Sequence, residues 1–383
     1  MSIIFIANIL ALLLSFFVVG TILGAFVSHT FRKKLLEFYY ERRLSLLRSL
    51  YNPILRPGAH PWTAEAVLNP AAAFIDGRTH LVYRAVGMDG VSRLGYASSP
   101  DGLLFNDRPP YPIYIAQKDA SVPAHLRQYS PVLYPSGGSW GGCEDPRMVV
   151  IDNRVYVTFN MFENWVLRVG CVSMPVEDFL AKRFHKWSPP IVLSHGNRDK
   201  NWVLFPEKLG GKFAVLHSII GDTPDRVRIE YVDALEDLRT RTFKSPDPQQ
   251  HRDEHIAWHT HVRSAGAPPL RTEIGWLVFY HAHDAREPHR YKIGALLLDL
   301  DDPTKIRARA VAPVLEPDAA YENDGKPGVV YACGATVNNK MLHIYYGGAD
   351  KVVCVATAPL DAFVNALAEG SAMRLSSGPT FSV

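Results

Sequence analysis

One turn-and-strand unit recurs along most of this chain, and it limits the possible folds more than any other feature of the sequence. Each copy has a polar turn, followed by a strand that alternates apolar and polar residues and ends in a polar or charged side chain. A second short strand follows each copy. The five copies of the turn and first strand occupy residues 76–84, 152–160, 210–218, 273–281 and 338–346.

These units are spaced irregularly by roughly 60–75 residues, with few helical periods between them. They predict an all-β chain whose residues 51–383 form a five-bladed β-propeller, and a two-sheet sandwich is the alternative. The innermost strand of each blade lines the central channel of a propeller. Polar strand ends such as Arg84, His281 and Asp350 are therefore expected to converge on one pocket.

The N-terminus predicts a membrane anchor. Residues 3–27 carry no charge, and at ~1.5 Å per residue they exceed the ~30 Å hydrocarbon core of a bilayer. A cleaved signal peptide is the alternative, but it would have a basic start and a shorter apolar stretch. Basic residues follow the stretch, beginning at Arg32, and none precedes it, which predicts a cytoplasmic catalytic domain. We therefore expect a transmembrane helix over residues 1–30 and an amphipathic juxtamembrane helix over 31–50.

Composition narrows the function classes. Of the 383 residues, 47% are hydrophobic and 21% charged, which is typical of a globular protein with an ample core. The net charge of +3 and the lack of a basic cluster interleaved with aromatic residues disfavour a nucleic-acid partner. None of the four cysteines forms a CxxC pair, and the two His-x-His pairs, 259–261 and 281–283, are not completed by Cys or acidic residues. No metal site is predicted.

The most unusual stretch is 142–147, Gly-Cys-Glu-Asp-Pro-Arg. Pro146 restricts its own φ and favours an extended Asp145, and the glycine permits close backbone approach. An acid held this way beside an arginine suits proton donation to a leaving oxygen, as glycosidic cleavage requires. The simpler alternative is an ordinary turn with a surface ion pair.

The sequence resembles glycoside hydrolase family 130, the β-mannoside phosphorylases and their hydrolytic relatives, over most of residues 51–368. Five-bladed propellers are what this resemblance implies. The matching motifs are Asn-Pro-Ile-Leu at 52, Leu-Asn-Pro-Ala-Ala at 68, Val-Tyr-Arg-Ala-Val at 82, Asp-Gly-Val-Ser-Arg at 89, Cys-Glu-Asp-Pro-Arg at 143, Val-Leu-Phe-Pro-Glu-Lys at 203, Gly-Ala-Pro-Pro at 266, Gly-Trp-Leu-Val-Phe-Tyr-His at 275 and Tyr-Tyr-Gly-Gly-Ala-Asp at 345.

The resemblance implies a role for individual residues. Asp145 matches the family's general acid, which is thought to act through a hydroxyl of the mannosyl unit. Short polar side chains at strand ends are also what a sugar's hydroxyls require. The residues expected to bind the mannoside are Asn69, Arg84, Asp350, Glu144 and Arg147.

A phosphate site is implied as well, with inorganic phosphate as co-substrate and no other cofactor. Phosphate is a dianionic nucleophile, so its pocket needs cations. The chain departs from the pattern here, because Ser218 and Val262 stand where Arg and Lys are common. Arg198 and Lys208 are further cations that could compensate. The residues expected to bind phosphate are Lys200, Asn201, His281 and Arg263.

The resemblance therefore implies a glycosidase or glycosyltransferase, foremost an inverting β-mannoside phosphorylase that releases mannose 1-phosphate from an oligosaccharide or glycan. The altered phosphate site leaves three alternatives open. One is an inverting hydrolase with a base such as Glu207 or Glu322, one is a mannosyltransferase related to family 108, and one is a glycan-binding propeller without activity. Trp62, Trp140 and Trp202 are candidate sugar platforms or core residues.

Overall fold

The computed structural model describes residues 46–370 except 59, 117–121, 164, 197 and 242–257. Nearly all regular structure in this part is β-strand. In the first half of the chain the strands are β1 (Leu47–Arg48), β2 (Ala66–Ile75), β3 (Arg78–Val86), β4 (Val91–Ser99), β5 (Gly141–Ile151), β6 (Arg154–Glu163), β7 (Val166–Pro175) and β8 (Ile191–Val192).

The second half continues the same pattern of short antiparallel strands. Two α-helices are described, α1 (Val176–Leu180) after β7 and α2 (Leu360–Ala368) after the last strand. The strands of this half are β9 (Val203–Leu204), β10 (Phe213–Ser218), β11 (Arg228–Val232), β12 (His261–Ala265), β13 (Leu270–Arg271), β14 (Trp276–His283), β15 (Lys292–Leu298), β16 (Ile306–Arg309), β17 (Val330–Asn338), β18 (Met341–Gly348) and β19 (Val352–Pro359).

The strands fall into five antiparallel groups, namely β2–β4, β5–β8, β9–β11, β12–β16, and β17–β19 with β1. The first two groups share a sheet only through a parallel pairing of Val91 with Gly141 and Ser92 with Gly142. Contacts run from β17 to β2, from β2 to β5, from β5 to β9, from β10 to β12 and from β14 back to β17. The groups therefore follow one another in a closed ring. The all-β prediction is confirmed, and the arrangement is propeller-like.

Packing between neighbouring groups explains why the strands are so apolar. Every residue of β14 is buried, because both faces of its sheet are covered. One core cluster joins Phe205, Ala214 and Leu216 of the third group to Trp276 and Tyr280 of the fourth. The rings of Phe205 and Trp276 pack edge to face with their centres 5.0 Å apart. This continuous packing fixes each sheet relative to the next and so fixes the strand ends that carry polar residues.

The predictions for the N-terminal region need correction. The predicted transmembrane helix, 1–30, and most of the juxtamembrane helix, 31–50, lie outside the described residues. Within the described part of the chain, no helix is long and apolar enough to cross a membrane. The membrane-anchored location with a cytoplasmic catalytic domain is therefore not supported, and we withdraw it.

The end of the predicted juxtamembrane helix is a strand. Leu47 and Arg48 form β1 and pair with Thr357 and Ala356 of β19, which closes the fifth group. Arg48 donates from Nε to Oε1 of the fully buried Glu322 at 2.7 Å. This partner lies far along the chain, so the local amphipathic pattern could not predict the strand.

Candidate active site

Two bulges with the same backbone shape lie at the centre of the site. In β2, Asn69 and Pro70 are inserted opposite a single residue of β3, and in β5, Asp145 and Pro146 are inserted opposite a single residue of β6. Asn69 and Asp145 both have φ of +47°. Asn and Asp tolerate this left-handed region better than other side chains do. The prediction that Pro146 would hold Asp145 extended is wrong.

The bulges bring their polar side chains into contact. Asn69 donates from Nδ2 to Oδ1 of Asp145 at 2.7 Å, and both residues are buried. The Asn69 Oδ1 atom is buried without a hydrogen-bond partner among the described residues. A Cβ at position 347 would lie 2.1 Å from that oxygen, so β18 must carry Gly347 here.

Arg84 links the two predicted carboxylates. Its Nη1 donates to Asp145 Oδ1 at 3.2 Å, and its Nη2 donates to Glu144 Oε1 at 2.9 Å. The guanidinium is 1% exposed, so these charge-assisted bonds are shielded from solvent. Its other acceptors are Ser92 Oγ at 2.8 Å, the Ser136 carbonyl at 2.7 Å and Ser139 Oγ at 2.9 Å.

Arg147 holds the backbone of the β5 bulge. Its Nη1 donates to the Asp145 carbonyl at 2.5 Å, and its Nε donates to the Gly266 carbonyl at 3.2 Å. Because Arg147 is fully buried, its charge also acts on the Asp145 carboxylate. Arg147 thus positions the acid through the backbone of the bulge.

The three carboxyl groups of the site differ in acidity. Burial raises the pKa of Glu144 to about 7, against the opposing charge of Arg84. Burial alone would also raise the pKa of Asp145, but Arg84, Arg147 and the hydrogen bond from Asn69 outweigh it, so this pKa is lowered. Burial raises the pKa of Asp350 above its ordinary value, despite Lys326 and Arg84. In the free protein, Asp145 is therefore the most acidic of the three.

Asp350 approaches this cluster from the fifth group. Its φ is +51°, and its Oδ2 lies 3.3 Å from Nζ of Lys326. The charges of Arg84 and Asp145 both influence its pKa, so Asp350 is electrostatically coupled to this cluster. The same lysine donates to the Pro135 carbonyl at 2.6 Å, in the loop that also contacts Arg84.

Lys200 is the cation beside Asp145 that has no fixed partner. It is half-buried, and none of the described residues forms a hydrogen bond or ion pair with its ammonium group. Burial lowers its pKa, Asp145 and Glu144 oppose that change, and Arg263 and Arg147 add to it. Lys200 thus interacts electrostatically with both acids and with a second cation, Arg263.

Arg263 lies at the edge of the site. It is exposed, its Nη2 donates to the Tyr291 hydroxyl at 2.8 Å, and its guanidinium lies 5.5 Å from the centre of that ring. The ammonium of Lys326 approaches the same ring at 5.8 Å. Tyr291 therefore contacts both Arg263 and Lys326, the lysine that pairs with Asp350.

The other two predicted phosphate ligands occupy a buried network. Asn201 donates from Nδ2 to Ser264 Oγ at 2.9 Å and to the Tyr331 hydroxyl at 2.8 Å, and its Oδ1 accepts from Asn160 at 2.9 Å. All hydrogen-bonding atoms of this side chain are used within the protein. Asn201 therefore does not offer a free donor to phosphate in this structure.

His281 is also engaged. It is fully buried and stacks on Tyr331 with ring centres 3.6 Å apart. Nε2 lies 2.8 Å from the Ala332 carbonyl, which makes it the donor, so Nδ1 accepts from Ser264 Oγ at 3.3 Å. Burial lowers its pKa to about 3, so the ring is neutral. His281 thus adds no positive charge to the predicted phosphate pocket.

Comparison with known proteins identifies the family. Residues 54–369 match the sequence model of glycosyl hydrolase family 130, described as β-1,4-mannooligosaccharide phosphorylase. The chain belongs to glycoside hydrolase family 130. It is an enzyme of that family.

Individual relatives extend over nearly the same part of this family 130 enzyme. A 1,2-β-oligomannan phosphorylase of Thermoanaerobacter sp. strain X514 is 33% identical, over 82% of this chain and 97% of its own. A β-1,2-mannobiose phosphorylase of the same strain is 32% identical, over 81% and 96%. The solved β-1,2-mannobiose phosphorylase of Listeria innocua, in complex with β-1,2-mannobiose, has a TM-score of 0.60 and 22% identity, over 84% of this chain and 99% of its own. That structural likeness shows the fold.

Of four other predicted candidates in this family 130 enzyme, three have partners outside the Asp145 cluster. Lys208 pairs with Asp152 at 2.9 Å, and Arg198 is exposed with no ion pair to a described residue. Glu207 pairs with Arg271 and is partly exposed. Glu322 is fully buried, and both of its oxygens accept hydrogen bonds.

Two of the three candidate tryptophans, Trp140 and Trp202, are core residues, whereas Trp62 is only partly buried. Trp140 is buried and donates to the Asp89 carbonyl at 2.8 Å, and Trp202 is buried in a core cluster. Among the described residues, no group of three or more His, Cys, Asp or Glu side chains is placed to hold a metal ion. The sequence alone did not single out Ser139, Lys326 or Tyr331, because ordinary polar residues become part of a site only through contacts distant in sequence.

Proposed function

We propose that this enzyme is an inverting β-mannoside phosphorylase that transfers a mannosyl unit to inorganic phosphate and releases mannose 1-phosphate. Each of the five strand groups would form one blade, with the site of Asp145 at their common centre. The observation that carries the proposal is Lys200, a half-buried ammonium group close to Asp145 that has no partner among the described residues. A pocket for a dianionic nucleophile requires such a cation.

The sugar would bind against Asn69, Asp145 and Asp350. The Oδ1 atom of Asn69 is buried and has no described partner, so a sugar hydroxyl could donate to it. The Asp145 and Asp350 carboxylates offer further acceptors, the first in the β5 bulge and the second in the turn after β18, and both residues have positive φ. Arg84 would keep the acids in place, since its donors already bind Asp145 and Glu144.

In the reaction, a phosphate oxygen would form a bond to the anomeric carbon while the bond from that carbon to the glycosidic oxygen breaks. The leaving oxygen needs a proton, which we assign to Asp145, directly or through a mannosyl hydroxyl. Asp145 is ionised in the free protein, but a bound sugar would displace water and raise its pKa. The raised pKa of Glu144, about 7, keeps a proton available within the same cluster.

We further propose β-1,2-linked mannosides as substrates, because the two relatives at 33% and 32% identity are named for that linkage. Hydrolysis is less well supported. Of its two candidate bases, Glu322 has no free oxygen, and Glu207 is held by Arg271. Phosphate needs no general base to attack, so the proposed reaction does not require a second catalytic carboxylate.

The test is to incubate the full chain with β-1,2- and β-1,4-mannobiose, with and without phosphate. We expect mannose 1-phosphate only with phosphate and faster from the β-1,2 substrate. Free mannose independent of phosphate would indicate a hydrolase. Elongation from a nucleotide-mannose donor, without phosphorolysis, would indicate a mannosyltransferase. Either result would reject the proposal.

A matched pair of lysine variants tests the phosphate site itself. Lys200→Ala should raise the KM for phosphate by about tenfold to a hundredfold, with little change in the KM for the mannoside. Lys208→Ala should leave both constants near wild type, because Lys208 pairs with Asp152 outside the site. Equal effects of the two substitutions would refute the assignment of Lys200.

A further inference from the structure

A cavity of about 540 Å³ lies apart from the Asp145 site. Its walls come from two chain segments, one before β2 and one after β4, and Val67 and Tyr83 close it. Tyr83 immediately precedes Arg84 on β3, so the two side chains point to opposite faces of the sheet. No residue of the Asp145 hydrogen-bond cluster lines the cavity. The cavity is therefore a separate site.

The charged side chains that line the cavity are all basic. Arg56 and Arg108 both line it, and neither forms an ion pair or side-chain hydrogen bond with a described residue. His60 and Asn106 add two more polar side chains, and the lining contains no Asp or Glu. Most other arginines of the described chain have a carboxylate or backbone partner. Two exposed arginines without a described partner that line one concave space make it a candidate anion site, and phosphate suits the fork of donors on a guanidinium group.

The rest of the lining suits a sugar. The Trp62 ring stacks on Tyr83 with ring centres 6.5 Å apart and an angle of 13° between planes. Trp62 also donates from Nε1 to the Pro110 carbonyl at 2.9 Å, which ties the two wall segments together. A fixed aromatic ring at the edge of a polar cavity is a surface on which a sugar ring can pack. The volume exceeds what inorganic phosphate alone needs and lies within the range of small-ligand pockets.

We propose that this cavity binds a phosphorylated sugar, with Arg56 and Arg108 on the phosphate and Trp62 against the sugar ring. Asn106 would bind sugar hydroxyls. We assign the site a binding role, because its lining contains no carboxylic acid to pair with His60 in proton transfer. The inference does not depend on phosphorolysis at Asp145, since its residues and its face of the sheet are different.

The experiment uses mannose 1-phosphate as the probe in the Lys200→Ala background, which weakens the proposed phosphate site near Asp145. Calorimetry on the full chain should show saturable binding in this background. Adding Arg56→Ala and Arg108→Ala should weaken binding by at least about tenfold. Adding Arg239→Ala, an exposed arginine on another part of the surface, should leave binding unchanged.

Two further measurements identify the ligand and the site. Neutral mannose and inorganic phosphate should each bind at least about tenfold more weakly than mannose 1-phosphate. Binding should change the tryptophan fluorescence, and Trp62→Phe should remove that change while calorimetric binding persists. Equal affinity for inorganic phosphate, or no effect of the double arginine substitution, would overturn the proposal.

Failure of this inference can be told apart from failure of the proposed function. If wild type binds mannose 1-phosphate and Lys200→Ala does not, the ligand binds at the Asp145 site, and the cavity proposal is wrong while the assignment of Lys200 is supported. If Lys200→Ala binds as expected and wild type has no phosphorylase activity, the cavity proposal stands alone.

Discussion

The β2 and β5 bulges use one backbone shape for two different chemical purposes. Each inserts a residue at φ +47° followed by proline, and their side chains meet at 2.7 Å. In β2 the inserted residue is the amide Asn69, which donates. In β5 it is the carboxylate Asp145, which accepts and can carry a proton. The backbone therefore positions both groups equally, and the side chain alone decides which one can act as an acid.

The residues just before the two bulges sharpen this contrast. Leu68 is fully buried and apolar, and Glu144 is buried and hydrogen-bonded to Arg84 and Ser139. The β5 bulge thus has a second acid beside the first, and the β2 bulge has none. One side of the site supplies fixed donors and the other supplies titratable groups, which is why the substitutions below should have unequal effects.

The largest effect is expected when the carboxylate of the β5 bulge is replaced by the amide that the β2 bulge carries. Asp145→Asn keeps the short side chain that tolerates positive φ but cannot donate a proton at the leaving oxygen. Phosphorolysis should fall by about a thousandfold with little change in Tm. The control is Asp152→Asn, which also has positive φ, in the turn between β5 and β6. A variant at 145 that keeps more than a tenth of wild-type activity would falsify the assignment of the acid.

The reverse exchange should have the next largest effect. Asn69→Asp places a second carboxylate against Asp145, where two negative charges cannot both persist, so the pair holds a proton to higher pH. We expect kcat/KM to fall by about tenfold to a hundredfold at neutral pH and to recover partly toward pH ~5.

Asn69→Ala serves as the comparison, because it removes the hydrogen bond without adding a charge. Its loss of kcat/KM should be smaller, and its pH profile should shift less than that of Asn69→Asp, because it removes one hydrogen bond that lowers the pKa of Asp145 and adds no charge. If Asn69→Asp and Asn69→Ala gave the same pH profile, the charge at position 69 would not couple to Asp145.

The contact between the bulges can be disturbed without altering either polar side chain. A Cβ at position 347 would lie 2.1 Å from Asn69 Oδ1, whereas one at 348 meets its nearest atom at 3.2 Å. Gly347→Ala should therefore displace Asn69, lower activity by about tenfold and cost about 1–3 kcal/mol of stability. Gly348→Ala, in the same strand, should stay much closer to wild type in both assays. Similar results for the two variants would show that Asn69 does not depend on this close approach.

Part of the fold and of the candidate site could be predicted from the sequence. The turn-and-strand repeat predicted the β-sheets, because it depends on local alternation. Asp145 beside Pro146 predicted a held acid, but the proline could not reveal the left-handed backbone, which depends on the pairing of β5 with β6. The neutral state of His281 depends on complete burial and on the Ala332 carbonyl, a partner distant in sequence. Residue types can therefore predict candidates, whereas their charge states and free donors depend on contacts made only in the fold.

Glu144, the second acid at the β5 bulge, should make the stability of the protein depend on pH. Between its ordinary value of 4.5 and about 7, Glu144 keeps a proton in the folded state that it loses in the unfolded chain. The free energy of unfolding should therefore fall as pH rises through this window. Glu144→Gln removes this titration, so the stability difference, wild type minus variant, should decrease from pH ~5 to pH ~8. Denaturant melts across that range measure it, and a difference that does not change with pH would contradict the raised pKa.

The smallest effects are expected from the prolines that the two bulges share. Pro70→Ala and Pro146→Ala each give the unfolded chain more freedom, which should cost about 0.4–1 kcal/mol of stability. The two costs should be equal, because the two backbones are the same. Activity should separate them, since Pro146 restrains the acid and Pro70 restrains only its partner, so Pro146→Ala should lose more of its kcat. If Pro70→Ala lost as much kcat at equal stability, the hydrogen bond from Asn69 would matter to the chemical step as much as the carboxylate's own placement, and the division of roles between the bulges would have to be abandoned.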